Sequence, residues 1–286
     1  MPRFAFMHWT TTRFRIDLSQ PRVMGIVNLT PDSFSDGGRW CEAGAALRHA
    51  EQLLREGAEL LDLGAESSRP GAPRVDADEE WRRLQPVLLG ALRLGVPVSV
   101  DSCKTEVMAR ALDLGADIVN DIRALQAPGA LELLAAHAAA GVVLMHMRGD
   151  PGTMQQQTDY VDLAQEVGSF LAQRAQALRE CGVAAERIVL DPGFGFAKTA
   201  AQNLELQRVW AASPPDYPWL AGWSRKSTLG YLSGAAVADR LPASIAAALA
   251  AVRAGARLLR VHDVGATVQA LRVGLAMGIA DNPPTK

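Results

Sequence analysis

The sequence predicts a single α/β domain folded as a (β/α)8 barrel, and three observations predict it. First, one phrase recurs: a helical pattern ends at a glycine, and a short apolar run follows that closes on a polar residue. It reads Gly57-Ala58-Glu59-Leu60-Leu61-Asp62, Gly115-Ala116-Asp117-Ile118-Val119-Asn120, Gly141-Val142-Val143-Leu144-Met145-His146 and Gly255-Ala256-Arg257-Leu258-Leu259-Arg260. Second, these runs do not alternate apolar with polar, as expected of strands covered on both faces. Third, eight such runs can be collected along the chain, most of them about one βα unit apart.

In order, the candidate strands are residues 23–28, 59–63, 96–101, 118–120, 142–146, 188–191, 219–223 and 258–261. Ala- and Leu-rich periodic segments lie between them, including 43–56, 79–94, 163–181 and 243–254, and read as helices. The shortest interval, from Asp101 to Asn120, still accommodates a three-turn helix. The glycine of each phrase suits the left-handed residue just past a helix C-terminus. A doubly wound sheet is disfavoured, because no G-x-G-x-x-G opens a helix after the first strand. Residues 1–20 alternate weakly, as in Arg13-Phe14-Arg15-Ile16, and are expected to form a short hairpin strapped under the barrel. The barrel itself is expected over 21–280, with no linker or low-complexity segment dividing it.

Composition narrows the function classes. The 286 residues are 49% hydrophobic, which permits a sizeable core and argues against a disordered chain. Lys and Arg number 29 against 31 Asp and Glu, a net charge of −2, so bulk attraction to nucleic acid or an anionic membrane is not expected and any anion binding is local. Cys41, Cys103 and Cys181 are widely spaced and form no C-x-x-C, which disfavours a disulfide scaffold or zinc site and fits a reducing cytoplasm. The most apolar stretch, 133–147, contains two histidines and is too short to cross a bilayer, and the N-terminus carries no secretion signal. A cytoplasmic protein without membrane or nucleic-acid partners is the expectation.

In a (β/α)8 barrel the chemistry gathers at the C-terminal ends of the strands. Those ends carry Asn28, Asp62, Asp101, Asn120, His146, Asp191 and Arg260, with His262 just beyond. One such residue is an ordinary cap or loop anchor; a whole rim of them needs another reason. Asp101, Asn120 and Asp191 offer acceptors and one carboxamide, a set that matches a flat heterocycle with amino and ring N–H donors. On the last two strands the sign turns positive, with Ser224-Arg225-Lys226-Ser227, Arg260 and His262, in the quarter where barrels commonly hold a phosphate.

Two long loops follow the first two strands. The first, Asn28-Leu29-Thr30-Pro31-Asp32-Ser33-Phe34-Ser35-Asp36-Gly37-Gly38-Arg39, holds oxygen ligands at Asn28, Asp32 and Asp36 that could serve Mg2+ when a diphosphate supplies the rest. A stiff Asx/Pro turn would use Thr30-Pro31-Asp32 equally well. The second, 64–74, mixes Gly, Ser and Pro with Arg69; together the loops suggest a lid. Cys103 reads as packing, His146 lacks a second spaced histidine for a metal, and Gly193-Phe194-Gly195-Phe196 reads as a tight turn or an aromatic wall.

These segments resemble the dihydropteroate synthases. Met24-Gly25-Ile26-Val27-Asn28-Leu29-Thr30-Pro31-Asp32-Ser33-Phe34-Ser35-Asp36-Gly37-Gly38 is similar to that family's first signature, and Asp62-Leu63-Gly64-Ala65-Glu66-Ser67-Ser68-Arg69-Pro70-Gly71 to its second. Val100-Asp101, Val119-Asn120-Asp121, Met145-His146-Met147-Arg148-Gly149, Asp191-Pro192-Gly193-Phe194-Gly195-Phe196, Ser224-Arg225-Lys226-Ser227 and Arg260-Val261-His262-Asp263-Val264 follow in the family's order. The second signature departs from G-G-E-S-T-R-P-G at Ala65 and Ser68; the serine keeps the hydroxyl and loses a methyl.

The resemblance implies an Mg2+-dependent condensation of 6-hydroxymethyl-7,8-dihydropterin diphosphate with 4-aminobenzoate, in a homodimeric enzyme of folate synthesis. By matched position, Asp101, Asn120, Asp191 and Lys226 would hold the pterin, with Arg260 along its ring beside Val261. His262 and Arg69 would meet the diphosphate or the aminobenzoate carboxylate, and Asn28 would ligate Mg2+. Ser68, Phe34 and Pro70 would border the aminobenzoate, where sulfonamides compete in this family. Asp101, Lys226 and Arg260 are the implied catalytic residues. A catalytically silent pterin-binding paralogue and a folate-dependent methyltransferase barrel are the alternatives.

Overall fold

Residues His8–Thr10 (β1) and Arg15–Asp17 (β2) pair antiparallel as a small hairpin, with Trp9 opposite Ile16. The computed structural model describes residues 8–29, 39–68, 71–212 and 216–280. Eight parallel strands follow: β3 (Arg22–Asn28), β4 (Leu60–Gly64), β5 (Val98–Asp101), β6 (Ile118–Asp121), β7 (Gly141–Met145), β8 (Ile188–Asp191), β9 (Leu220–Ala221) and β10 (Leu258–Val261). They form one sheet in the order β8-β7-β6-β5-β4-β3-β10-β9, and a bridge between Leu190 and Trp219 brings β9 back to β8 to close the ring. The predicted (β/α)8 barrel is the observed one.

Around it lie α1 (Arg39–Arg55), α2 (Ala77–Ala91), α3 (Thr105–Asp113), α4 (Ala130–Ala136), α5 (Leu163–Glu180), α6 (Ala200–Ala212), α7 (Ser227–Ser233), α8 (Leu241–Arg253) and α9 (Val264–Ala276). Each presents an apolar stripe to the outer face of the barrel, for example Leu84, Val87 and Leu88 on α2 and Val167, Leu171 and Leu178 on α5. None of the described helices is long and apolar enough to cross a membrane.

The recurrent phrase has a physical basis in three of its four copies. Gly57, Gly115 and Gly255 have φ of 103°, 102° and 98°, so each ends a helix and turns the chain into the next strand. Gly141 differs. It opens β7, where an added Cβ would lie 3.0 Å from Thr11 Cγ2 and 3.1 Å from Trp9 Nε1. The glycine there makes room for the hairpin rather than for a turn. The seventh strand is shorter than the apolar run 219–223 suggests, because Pro218 precedes it and the chain leaves the sheet at Gly222 to build the turn that carries Lys226.

The hairpin plugs the N-terminal end of the barrel. Trp9, 1% exposed, packs with Leu18, Met24, Leu60, Ile118, Val143, Val189, Leu220 and Leu258, the inward residues near the strand starts. Its indole N–H donates to the carbonyl of Arg187 at 2.9 Å, and the Arg187 guanidinium donates to Ala140, Leu134 and His137 carbonyls at 2.7, 2.8 and 2.8 Å. Arg13 closes the other side through Asp117, at 2.6 Å. With that end sealed, only the C-terminal end is left to open a cleft.

Candidate functional site

The polar residues at the C-terminal face converge on one carboxylate. Asp62 sits inside β4, fully buried, two residues short of the strand end. Its Oδ2 accepts from Arg260 Nε at 2.6 Å and from Asn120 Nδ2 at 3.2 Å. The same guanidinium reaches Asp101 Oδ2 through Nη2 at 2.7 Å, so Arg260 spans from β10 to β4 and β5 across the barrel mouth. Asp101 and Asn120 stand side by side in register on β5 and β6. The other Asp62 oxygen, Oδ1, is buried without a hydrogen-bond partner among the described residues.

Two carboxylates therefore share one guanidinium. Burial works against the Arg260 charge, but Asp62 and Asp101 outweigh it and hold its pKa above the usual arginine value. Asp101 is pushed up by burial, with Arg260 pulling the other way and Asp62 adding to the rise. One cation does not balance both acids, which leaves this corner acidic and short of donors.

On the far side the arrangement inverts. Asp191, at the end of β8, accepts from Gly193 N–H at 2.7 Å through Oδ1 and is pushed up mainly by burial. Lys226 caps the start of α7, and its Nζ lies 4.0 Å from the centroid of the Phe196 ring, a cation–π contact. Burial, with Arg260 adding, draws the Lys226 pKa down, against Asp191 and Asp101. His262 is fixed by Ser224: its N–H donates to Ser224 Oγ at 3.2 Å while the hydroxyl lies 3.0 Å from Nδ1. Burial, with Arg260 adding, pushes His262 down to about 3, so the ring is neutral; with Ser224 assigned as the donor to Nδ1, the ring proton is on Nε2. Arg225 is tied to Asp263 at 2.5 Å, in a backbone conformation with φ of 60°.

The structure thus brings Asp101, Asn120, Asp191, Lys226, Arg260, Val261 and His262 to one end of the barrel, as the strand ends predict. Asn28 closes β3 opposite Gly64, which in turn pairs with Asp101. Ser68 follows β4, half-buried. Phe34, Arg69 and Pro70, with Asp32 and Asp36, lie outside the described residues. The Gly193–Phe196 segment is the tight turn and aromatic wall expected of it: Phe196 N–H donates to Gly193 O at 3.0 Å. Ala65, where the family signature has glycine, is buried without strain, and its carbonyl accepts from Arg83 Nη1 at 3.3 Å.

Two rejected candidates stay rejected for visible reasons. His146 Nδ1 is occupied by Lys198 Nζ at 3.0 Å, and burial drives the ring down to about 2. Cys103 packs against Ile122, Met145, Met147 and Phe196, and burial, with Asp121, pushes its thiol up to about 12. Lys198 itself went unseen in the sequence. Its signal is a single lysine two residues past the G-F-G-F run, in a segment otherwise buried and apolar.

A set of acceptors facing a set of cations, with a neutral histidine between serine and arginine, suits a flat ligand rich in N–H donors that carries an anionic tail. Comparison with known proteins identifies the ligand class. A match to the family described as pterin binding enzyme spans residues 24–262, from Met24 within β3 to His262. The dihydropteroate synthase of Neisseria meningitidis serogroup B is 50% identical over 278 residues, covering 95% of this chain and 98% of the relative. The chain belongs to the dihydropteroate synthase family. Solved structures of dihydropteroate synthases agree: that of Xanthomonas albilineans with 4-aminobenzoic acid is 45% identical with a TM-score of 0.86, covering 92% of this chain and 95% of that one. That of Burkholderia cenocepacia with 7,8-dihydropteroate is 46% identical with a TM-score of 0.85, covering 96% and 97%. The protein is accordingly a transferase of folate synthesis.

Proposed function

We propose that the protein joins 6-hydroxymethyl-7,8-dihydropterin diphosphate to 4-aminobenzoate, giving 7,8-dihydropteroate and diphosphate. The observation that carries this reading is the meeting of Arg260 and Asn120 on Asp62, with Asp101 on the same guanidinium: residues from four strands form one acceptor-rich corner, with Lys226 at the start of α7 as a second cation of the cleft. The complexes of family members with 4-aminobenzoic acid and with 7,8-dihydropteroate support the same pair of substrates.

In this reading Asp101, Asn120 and Asp191 accept from the amino and ring N–H groups of the pterin, and Lys226 donates to its ring acceptors. Arg260 lies along the ring face beside Val261. Its present bond to Asp101 must yield as the pterin takes that carboxylate, and Asp62 retains it meanwhile. His262 donates through Nε2–H, and with Arg69 steadies the negative charge that grows on the leaving diphosphate. The C–O bond to the diphosphate breaks, and Asp101 stabilises the cationic pterin methylene left behind. The arylamine nitrogen of 4-aminobenzoate attacks that carbon and loses a proton; being neutral at pH 7, it needs no strong base. Ser68, Phe34 and Pro70 border the aminobenzoate.

Among the described residues no cluster of three or more carboxylate, histidine or cysteine groups could hold a metal by itself. The donor that remains, the Asn28 carboxamide oxygen at the end of β3, suits a hard cation whose other ligands are diphosphate oxygens and water. Mg2+ held there would offset charge on the departing diphosphate. The protein is further proposed to act as a homodimer through its last helices, where Tyr231, Leu232, Val273 and Met277 expose apolar side chains; sedimentation at micromolar concentration tests this.

The deciding assay incubates the chain with the pterin diphosphate, 4-aminobenzoate and Mg2+, and follows both diphosphate and dihydropteroate. Equimolar formation of the two is expected. Diphosphate without dihydropteroate, or neither, overturns the reading.

A further inference from the structure

Lys198 stands behind the pterin end of the cleft, 3% exposed, and the reaction above makes no use of it. Its ammonium has three N–H groups and three close acceptors: His146 Nδ1 at 3.0 Å, Phe196 O at 3.0 Å and Gly193 O at 3.1 Å, with His146 O farther off at 3.4 Å. Burial draws the Lys198 pKa down to about 7, against the pull of Asp191. In its protonated form all three N–H groups are satisfied, because a neutral His146 with its proton on Nε2 accepts at Nδ1. The two loops it joins touch elsewhere as well. Gly193 approaches the end of β7 so closely that an added Cβ would lie 2.0 Å from His146 O.

The turn held in this way carries two contacts to the cleft. Gly193 N–H fixes the Asp191 carboxylate at 2.7 Å, and the Phe196 ring lies under Lys226 Nζ at 4.0 Å. Gly195, between them, has φ of 81°, and an added Cβ would lie 3.1 Å from Lys226 Cδ. Any shift of the turn is therefore felt at both residues.

We propose that Lys198 is a positioning residue for the pterin subsite: its buried ammonium pins the turn 193–196 onto the end of β7, and through that turn sets the places of Asp191 and Lys226. This rests on the pterin reading of the cleft given above. Lys198 hydrogen-bonds to His146, Gly193 and Phe196 and to no described residue of the loop after β4, which carries Ser68 at the 4-aminobenzoate end in this reading. The consequence is therefore selective: loosening Lys198 weakens the pterin and spares its partner substrate.

The test measures equilibrium binding of the pterin diphosphate to the full chain by calorimetry, alongside steady-state kinetics. Lys198→Met is expected to weaken pterin binding at least ~10-fold while the KM for 4-aminobenzoate at saturating pterin stays within ~2-fold. His146→Asn, whose Oδ1 replaces Nδ1 as acceptor, is expected to bind the pterin as the parent does. His146→Leu, which removes the acceptor, shifts it in the same direction as Lys198→Met. Unchanged pterin affinity in Lys198→Met, or an equal loss for both substrates, overturns the proposal. If that variant does not fold, the His146 pair decides, and equal affinity in the two overturns it. Failure of the unaltered chain to bind the pterin instead overturns the functional reading itself.

Discussion

Asn120 and Arg260, far apart in sequence, donate to the same oxygen of Asp62, at 3.2 and 2.6 Å. That oxygen is the fulcrum of the cleft, because Arg260 divides itself between Asp62 and Asp101. Taking charge from Asp62 gives Asp101 the stronger hold on the guanidinium, and the pterin must then compete harder for Asp101. Asp62→Asn is expected to weaken pterin binding ~10-fold, about 1.4 kcal/mol, read by equilibrium titration. Unaltered affinity would show that the shared oxygen matters only for folding.

Removing the residues that meet the reacting pterin costs more. Lys226→Ala and Asp101→Ala should each lower kcat/KM by at least ~100-fold, about 2.7 kcal/mol, measured in the coupled assay for dihydropteroate. Near-normal turnover in both would end the mechanism drawn here.

The pH dependence has a definite sign. Burial raises Asp101 and Asp191, so each is neutralised at a higher pH than an exposed aspartate. A protonated carboxyl accepts less well from pterin N–H groups. Pterin affinity is therefore expected to fall as pH drops from neutrality toward 5, and Asp191→Asn should flatten that limb. An affinity constant across the range would contradict it.

Burial, with nearby cations adding, holds His146 and His262 neutral by drawing their pKa values down to about 2 and about 3. In the free protein, NMR should show neither ring itself taking up a proton between pH 5 and 8, although His146 should register the titration of Lys198, which is drawn down to about 7. A His262 signal titrating near its solution pKa would mean that the ring is not buried beside Arg260 as described.

At the other end of the barrel, Trp9→Ala removes the largest side chain of the plug and leaves Arg187 O without its donor. A loss of about 3–5 kcal/mol in denaturant unfolding is expected, with little change in KM for either substrate.

Much of this was legible in the chain itself. Runs such as 118–120 and 258–261 announce buried strands because a parallel strand has no wet face, and their polar last residues announce the rim. The sequence does not reveal depth. Asp62 reads as one strand end among several, yet it lies two residues below the strand end at Gly64 and so becomes the hub. Lys198 was missed for a related reason. A lysine in a loop reads as solvent-facing, whereas here it is buried among His146, Gly193 and Phe196. The Ser224–His262 pair joins residues 38 positions apart, a contact that no local pattern carries.

The ring of strands is unevenly fastened. β3 and β4 share five register pairs, whereas among the described residues β8 meets the chain just ahead of β9 through a single bridge, Leu190 with Trp219. Asp191 stands on one side of that weak seam and the turn bearing Lys226 on the other. A pterin that engages both works as a clasp, stitching the barrel shut where its own backbone does so least. Slowed amide exchange on substrate addition should concentrate along this seam and leave the tryptophan-plugged floor almost untouched.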